Sequence, residues 1–548
     1  MSNELKEPKA SPAKVTYHLK QLRKLFLRAS DQQFLQMVWA IDALRSGRPE
    51  AAAGWLTFPR QAADQFIGSP FAVHPWELET LLIQLFLTPK EHPQSAATPV
   101  FNCSTFDSVA DLVNRLRRLE NMESAVYLRR GEFNVFGELH RIAQRQFHWQ
   151  RGYFNPPQLY RYAFIYAQGK CGEYFEKTYG LPIAELNFVG FALFARSMHV
   201  PWISRTFTGP ELELTAGLMK RALPLLLISA HRAREETKKI TDEVNAKHGR
   251  PIPTAFLPSI LRRYPLVCLN DESNEFIAPI PELLLMRVTS GLYYDVIPGG
   301  QALLNEANDR FEKYCAAYIN ALMQRFKVTR TYRYEPKKGA PVDTPDLLVK
   351  DGEKIVFAAE CKATKLTYLA QFAEDPFEAE KKQYLQIAKG VFQLWRFFSH
   401  VRRGLVKEPV DVDTSAVVIT LDSFLTMSCE LKAKIIEQAS SLAEKEGDIA
   451  AKDRRHIIFC PIDALEWVLS LSTEDSFLAT LKAAREEKYI DWELDAISRK
   501  EAAGKEKIEQ KKFPFELDGL LPWSKRLKAL MAVLNDQEAF LMVEPHDC

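Results

Sequence analysis

Residues 344–364 read TPDLLVKDGEKIVFAAECKAT, and this stretch decides how the second half of the 548-residue chain folds. Two apolar runs, 347–349 and 355–359, flank an Asp-Gly pair at 351–352. Such a pair between apolar runs is a strong signal for a β-hairpin, because glycine adopts the positive φ that tight turns need. The stretch therefore predicts two antiparallel strands joined by a short turn.

The hairpin brings three charged side chains into one region. Successive side chains of a strand point to opposite faces, so Glu360 and Lys362 share a face. In the register that sets Asp346 opposite Ala358, Asp346 shares this face and is a diagonal neighbour of Glu360, with Cβ atoms about 7 Å apart. A register shifted by one residue would set Asp346 opposite Phe357 and turn it to the other face.

These residue types suit the hydrolysis of a phosphodiester. The reaction needs a water molecule that is nucleophilic near neutral pH and positive charge beside the phosphate oxygens. Aspartate and glutamate hold Mg²⁺ or Mn²⁺ through hard oxygen ligands. We therefore predict that Asp346 and Glu360 bind a divalent metal ion, and that Lys362 positions the water or stabilises the transition state.

A plainer alternative is that these charges cap the solvated end of a hairpin. The pattern acid, any residue, lysine also occurs at 4–6, 430–432 and 486–488, so the tripeptide alone carries little information. Those copies lie in a tail or in helical sequence. At 360–362 the pattern ends an apolar strand whose partner carries Pro345-Asp346, and this context favours the functional interpretation.

Pro345-Asp346 and Glu360-Cys361-Lys362 resemble the PD-(D/E)xK nuclease superfamily, over about residues 300–470. The resemblance implies a restriction-endonuclease-like domain with a mixed central sheet, and Mg²⁺ as cofactor with Mn²⁺ as a substitute. It also implies a further site acid on the helix before the hairpin, where Phe311-Glu312-Lys313-Tyr314 fits. Helical periodicity alone places Glu312 at the margin of an apolar stripe, where a surface position is equally plausible. With the resemblance, Glu312 is a third catalytic and metal-binding candidate.

The predicted helix after the lysine carries a polar stripe without acids. Its residues step by four, three, four and three, so they share one helix face. A stripe of this composition suits a phosphate backbone, although a solvated face predicts the same amphipathicity. Either glutamine is a candidate for a place near the metal site. The stripe consists of Lys382, Gln386, Lys389, Gln393 and Arg396.

Local charge favours a nucleic-acid partner, most simply DNA. The chain has 72 basic and 70 acidic residues, so no global field draws it to nucleic acid. Basic residues are concentrated in two segments: 321–338 has six against one acid, and 396–407 has four and no acid. Their side chains would supply sequence-independent affinity for phosphates, unless they only keep loops soluble. The predicted contacts from these segments are Arg330, Arg333, Arg402 and Arg403, beside Arg396 of the stripe.

The whole chain reads as an α+β multidomain protein. Apolar residues recur every three or four positions through most of the first half, which predicts helices, and helices alternate with strands beyond residue 300. Such alternation predicts a sheet covered on both faces. The predicted units are a disordered tail at 1–12, a mainly helical N-terminal domain at 13–262, the α/β nuclease-like domain at 263–475 with its core at 300–470, and a helical extension at 476–548.

Other classes of protein lose support. The sequence has no phosphate-binding loop, dinucleotide fingerprint, zinc-protease motif or nucleophile elbow. No apolar run approaches the ~20 residues of a membrane helix. Eight cysteines without a close pair and the lack of a signal peptide predict a cytoplasmic protein.

The sequence thus predicts a metal-dependent endonuclease, and by analogy with the resemblance a role in restriction or phage defence. Two alternatives stay open. One is a protein that binds nucleic acid without cutting it, and the other is a helical scaffold. In either case, the aromatic-rich N-terminal half is the expected surface for a protein partner or a second copy of the chain.

Overall fold

The computed structural model describes residues 10–64, 68–90, 100–128, 135–151, 156–503 and 508–530. Most of the predicted tail, residues 1–9, lies outside these ranges. Ser11 caps the first helix, which begins at Pro12. Residues 531–548 of the predicted C-terminal extension also lie outside, and 523–530 are helical.

The N-terminal half of the described chain is mainly helical, as its apolar periodicity predicts. Within the described ranges, no single helix combines the length and apolarity of a membrane span; α8 and α9 do so only as a pair, bent by 68°. The helices are α1 (Pro12–Arg28), α2 (Asp31–Arg45), α3 (Pro49–Ala53), α4 (Pro75–Leu87), α5 (Phe106–Leu128), α6 (Val135–Arg151), α7 (Pro156–Tyr166), α8 (Gly169–Tyr179), α9 (Ile183–Ser197), α10 (Ala216–Ala222) and α11 (Ala230–His248).

A small four-stranded sheet joins this half to the next. Its strands are β1 (Trp202–Ser204), β2 (Leu227–Ser229), β3 (Leu266–Cys268) and β4 (Glu275–Ile277), in the order β1-β4-β3-β2. The pairing crosses the predicted boundary at residue 262, because β2 runs parallel to β3 and β1 antiparallel to β4. Strands β1 and β2 were not predicted, since three residues are too few to reveal a period of two.

The second half contains the predicted mixed sheet. Its order is β11-β10-β9-β8-β5, with β9, β10 and β11 parallel and β5 and β8 antiparallel to their neighbours. Strands β6 and β7 form a separate hairpin. The strands are β5 (Phe326–Arg330), β6 (Arg333–Lys337), β7 (Ala340–Asp343), β8 (Leu347–Asp351), β9 (Lys354–Lys362), β10 (Val410–Thr420) and β11 (Ile457–Pro461).

Helices cover both faces of this sheet. Helix α14 (Gln301–Leu322) carries Glu312 and leads into β5, which begins at Phe326. The helices are α12 (Glu282–Val288), α13 (Leu292–Val296), α14 (Gln301–Leu322), α15 (Tyr368–Gln371), α16 (Pro376–Ala379), α17 (Lys381–Arg402), α18 (Cys429–Glu446), α19 (Ile462–Ser470), α20 (Glu474–Ala483) and α21 (Leu494–Ala502).

The alternation of side chains divides the core in two. Leu347, Val349 and Phe357 pack with α7, α14 and α19 on one face of the sheet. Leu348 and Ala358 pack with α17 and α18 on the other. The first cluster also takes in α9 and the small sheet, so the helical half and the five-stranded sheet share a core.

A buried ion pair lies in this shared core. Arg161 of α7 donates to Glu466 of α19, and Tyr314 of α14 donates to the same carboxylate at 2.5 Å. Both charged side chains are almost fully buried. Each charge therefore depends on the other for compensation.

We predict that Glu466→Ala lowers the free energy of unfolding by about 3–5 kcal/mol, because it leaves Arg161 as an uncompensated buried charge. Arg221→Ala is the control, since Arg221 pairs with Glu185 at the surface and exposed pairs contribute at most about 1 kcal/mol. Chemical denaturation monitored by circular dichroism measures both. Equal losses in the two variants would contradict the prediction.

Candidate functional site

The hairpin of β8 and β9 contains a bulge that decides where Asp346 lies. Asp351 pairs with Lys354 and Lys350 with Ile355, but Val349 pairs with Phe357, so Val356 is an extra residue in β9. Counted from the turn without this bulge, Asp346 would lie opposite Ala359 and on the other face. A bulge shifts the register by one residue and re-aims the side chains beyond it.

The observed register differs from the predicted one. Leu347 pairs with Ala359, so the next position sets Asp346 opposite Glu360 instead of Ala358. The predicted register is wrong by two residues, which preserves the face because the side-chain period is two. Asp346 therefore lies directly across from Glu360, closer than the predicted diagonal arrangement.

The three predicted side chains lie together. Lys362 Nζ is 2.6 Å from Glu360 Oε2 and 3.6 Å from Asp346 Oδ2. The backbone N–H of Cys361 donates to Asp346 Oδ2 at 2.7 Å, which fixes the carboxylate at the end of the strand. The exposed fractions of the Glu360, Asp346 and Lys362 side chains are 1%, 16% and 17%, so the cluster is recessed.

Crowding and burial shift the protonation of these groups. Burial, and then the charge of Asp346, raises the pKa of Glu360 to about 8. Burial lowers the pKa of Lys362, but the charges of Glu360 and Asp346 outweigh this effect and raise it overall. Without further positive charge, Glu360 is therefore largely protonated at neutral pH, whereas Lys362 is charged.

Glu312 of α14 lies near the same cluster, at the margin of the buried helix face. Burial, and then the charge of Asp346, raises its pKa to about 7, while Arg330 opposes this shift. Arg330 donates to Glu312 Oε2 at 3.0 Å and to Asp309 at 2.7 Å. Glu312 is thus coupled by charge to Asp346, but in the described residues it does not join Asp346 and Glu360 in a group that could hold a metal ion, and Arg330 holds one of its oxygens.

A glycine in α17 makes the cluster possible. A Cβ added at Gly390 would lie 2.7 Å from Lys362 Cε and 3.4 Å from Glu360 Cβ. The lysine side chain therefore lies against bare helix backbone. Gly390 was not among the predicted site residues, although an isolated glycine inside a strongly periodic helix is a signal of close packing.

The polar stripe of α17 lies where periodicity places it. Lys382, Gln386 and Lys389 are exposed, and Gln393 and Arg396 are half-buried. Gln386 and Gln393 stand four residues before and three after Gly390, so both share the helix face that Gly390 turns to the site. The predicted apolar side is buried and consists of Tyr384, Ile387, Ala388, Val391, Leu394, Trp395 and Phe398.

The other predicted phosphate contacts are engaged within the protein. Arg402 donates to both oxygens of Asp453, and Arg403 pairs with Asp448 at 2.8 Å. Arg333, on the exposed hairpin of β6 and β7, pairs with Asp343 across the strands. A phosphate would have to compete with these carboxylates.

The carboxylates of Asp346 and Glu360 suit a hard cation that takes only a few ligands from the protein. Nowhere in the described ranges do three or more His, Cys, Asp or Glu side chains form a group that could hold a metal ion. Mg²⁺ is, however, commonly bound by one or two carboxylates, with water and substrate phosphate completing its shell. Glu360 Oε1 is buried and has no hydrogen-bond partner within the described structure. A divalent cation between Glu360 and Asp346 would satisfy that oxygen and relieve the repulsion between the carboxylates.

We predict that Glu360→Gln makes stability less dependent on pH in a buffer with chelator. Between pH 4.5, the ordinary pKa of glutamate, and about pH 8, Glu360 is deprotonated in the unfolded chain but keeps its proton in the folded protein. Wild-type stability therefore falls as pH rises through this window, by about 1.4 kcal/mol per pH unit for this one group. The free energy of unfolding of the variant, relative to that of the wild type, should therefore rise from pH 5 to pH 8 in urea unfolding.

Glu353→Gln, in the exposed turn of the same hairpin, is the matched control for this measurement. Its profile should run parallel to that of the wild type. If the Glu360→Gln profile were also parallel, the protonation of the buried carboxyl would be wrongly assigned.

Comparison with known proteins adds no family to these observations. The chain matches no protein-family model, no curated protein and no solved structure. Its function must therefore be inferred from Asp346, Glu360, Lys362 and their surroundings.

Proposed function

We propose that the protein is a metal-dependent nuclease that hydrolyses phosphodiester bonds, with DNA as the substrate. One observation carries the proposal: Glu360 is buried beside Asp346 and Lys362, and none of the described residues donates a hydrogen bond to its Oε1. Two carboxylates and a lysine in a recess are costly for folding, since burying charges opposes stability. Such clusters are typical of sites that bind a cation and act on an anion.

The order of elements around the site supports a restriction-endonuclease-like domain. The acid-bearing helix α14 precedes the antiparallel strands β5, β8 and β9. Helix α17 follows the lysine and covers the opposite face of the sheet, and β10 then pairs parallel with β9. These are the places that the resemblance to PD-(D/E)xK nucleases assigns to the site acid, the hairpin and the following helix.

The residues of the site divide the chemistry between them. Asp346 and Glu360 would hold Mg²⁺ or Mn²⁺, which activates water and polarises the phosphate. Lys362, whose ammonium is close to both carboxylates, donates hydrogen bonds to the attacking water or to the phosphate oxygen on which charge develops. Glu312 adds negative charge near Asp346, and its ion pair with Arg330 partly offsets that charge.

The surface beside the site suits a phosphate backbone. Lys382, Gln386 and Lys389 form an exposed row on α17, and the row continues to the half-buried Gln393 and Arg396. Lysine and glutamine side chains bind phosphates without reading the bases. We therefore propose that α17 guides the nucleic acid to the site.

We also propose that the protein works in a reducing compartment such as the cytoplasm, and by analogy in restriction or phage defence. The seven cysteines in the described ranges are free thiols, six of them buried. Proteins of reducing compartments keep cysteines in this form. The defence role rests on the resemblance alone.

We predict that the purified protein cleaves nucleic acid only with Mg²⁺ or Mn²⁺, and that a chelator stops cleavage. The assay compares linear, circular and single-stranded DNA with RNA. Asp346→Ala should abolish cleavage by removing a metal ligand. Lys362→Ala should slow it by about 10²- to 10³-fold, the usual effect of losing one group that stabilises transition-state charge.

Lys488→Ala is the matched control, because Lys488 ends another acid-any-lysine tripeptide and is exposed. It should cleave like the wild type. Unchanged cleavage in both Asp346→Ala and Lys362→Ala would reject the site. Binding of nucleic acid without cleavage under any condition would favour the non-cutting alternative.

We predict that Gly390→Ala impairs cleavage without unfolding the protein. The added methyl group would displace Lys362 from the carboxylates, and a displacement of about 1 Å at a catalytic group can cost about 10²-fold in rate. Alanine is the better helix former by about 1 kcal/mol, so the melting temperature should not fall by much. Gly217→Ala in α10 is the control, because its nearest neighbour would be 3.9 Å away. Full activity of Gly390→Ala would contradict the packing argument.

A further inference from the structure

Helix α1, at the start of the helical half, carries positive charge that its own sequence does not balance. It has five basic residues and no acid, although the whole chain has a net charge of only +2. Of the described helices with 15 residues or more, only α1 and α17 lack acidic residues. The helical half thus has a counterpart to the helix that we propose guides the nucleic acid. The basic residues of α1 are Lys14, Lys20, Arg23, Lys24 and Arg28.

The apolar face of α1 is held in the core of the helical half. Leu22 and Phe26 are fully buried, and they pack in one cluster with residues of α2, α4 and α5. Val15, Leu19 and Leu25 are partly buried against the same cluster. This face is therefore occupied within the protein, and only the opposite face of α1 can meet a partner.

The opposite face presents the positive charge. Lys20 and Lys24 are exposed, and Arg23 beside them is half-buried. Residues three and four positions apart lie on one face of a helix, so these three side chains are neighbours. Tyr17, one turn before Lys20, is 57% exposed and adds a hydroxyl group. The four side chains share a surface about 10 Å long, measured along the helix at 1.5 Å per residue.

These charges are not compensated within the described structure. Elsewhere on the surface of this half, Lys238 of α11 pairs with Asp242. None of the described residues forms an ion pair with Lys20, Arg23 or Lys24. Burial lowers the pKa of Arg23, and no nearby carboxylate opposes the shift. Like charges four positions apart also repel each other and weaken a helix. The arrangement is therefore unfavourable for the protein alone, and an external anion would relieve it.

We infer that the exposed face of α1 binds the phosphate backbone of a nucleic acid, without reading its bases. The choice of nucleic acid as the anion rests on the proposed function, whereas the uncompensated charge does not. Lysine and arginine contacts to phosphates supply affinity that is independent of sequence. A membrane surface fits less well, because amphipathic helices bind membranes by burying their apolar face. In α1 that face is already packed in the core.

Binding is measured with the full chain in chelator, so that no strand is cut. The probes are a labelled 20-base-pair duplex, its single strand, and vesicles that contain anionic phospholipid. The test variant combines Lys20→Gln and Lys24→Gln, since glutamine keeps the helix propensity of lysine. For the duplex, the slope of log affinity against log salt concentration should become shallower by about 1.8, or roughly 0.9 per lost phosphate contact. The same slope corresponds to an affinity loss of about 10- to 50-fold at 0.15 M salt.

The matched control combines Lys238→Gln and Lys239→Gln in α11, a helix that also carries four acids. It removes the same charge and should keep the salt slope of the wild type. Equal changes in the two double variants would overturn the inference, because net charge alone would then explain them. An unchanged slope in the α1 variant would also overturn it. Binding to vesicles and not to nucleic acid, lost in the α1 variant, would overturn it in favour of a membrane surface.

A second α1 variant separates charge from local structure. Lys20→Arg combined with Lys24→Arg keeps both charges and should bind like the wild type; loss of binding there would contradict a role for charge. Metal-dependent cutting, with a wild-type salt slope in the Lys20→Gln and Lys24→Gln variant, would leave the nuclease proposal standing and reject the inference. A shallower slope in that variant, without cutting in any metal, would do the reverse.

Discussion

Lys362 lies beside two carboxylates and against the bare backbone of α17, and the candidate site depends on this contact. Two acids side by side in a recess repel each other, and burial raises the pKa of Glu360 further. Gly390 leaves room for the lysine side chain to lie against the helix beside both carboxylates. Well-packed apolar residues of similar volume would serve stability as well or better. The cluster is therefore hard to explain by the needs of folding, and this is the physical ground for the cation and phosphate chemistry proposed above.

The bulge at Val356 is the backbone feature on which the same site depends. A regular hairpin with the same two-residue turn would aim Asp346 at the face that packs on α14, where its charge would meet the apolar core. One extra residue in β9 turns Asp346 toward Glu360 instead. The site thus depends on one extra residue next to the turn. Its effect is felt at the other end of the hairpin, where it sets Asp346 opposite Glu360. Bulges commonly have this role near active sites.

Regular parts of the fold could be predicted from the sequence, and irregular parts could not. The helices α1, α4, α5, α14 and α17 follow from long apolar periods, and the Asp-Gly turn predicts the hairpin. The three-residue strands β1 and β2 have no detectable period, and the hairpin of β6 and β7 was not predicted. Within the site, alternation along β9 relates Glu360 to Lys362, but no pattern shows the bulge or the ion pair between Arg330 and Glu312. An isolated glycine in a periodic helix signals close packing at Gly390 without showing which residue approaches it. These depend on contacts between elements distant in sequence.

The helical half can influence the site because the two halves are not independent. The pair of Arg161 and Glu466 joins α7 to α19 inside a common core, and the small sheet takes strands from both sides of residue 262. A cavity lies between the same halves, and Leu421 in its wall donates its backbone N–H to the carbonyl oxygen of Lys362. A change in the helical half can therefore reach the end of β9 through packed side chains and a backbone hydrogen bond, which a freely tethered domain would not allow.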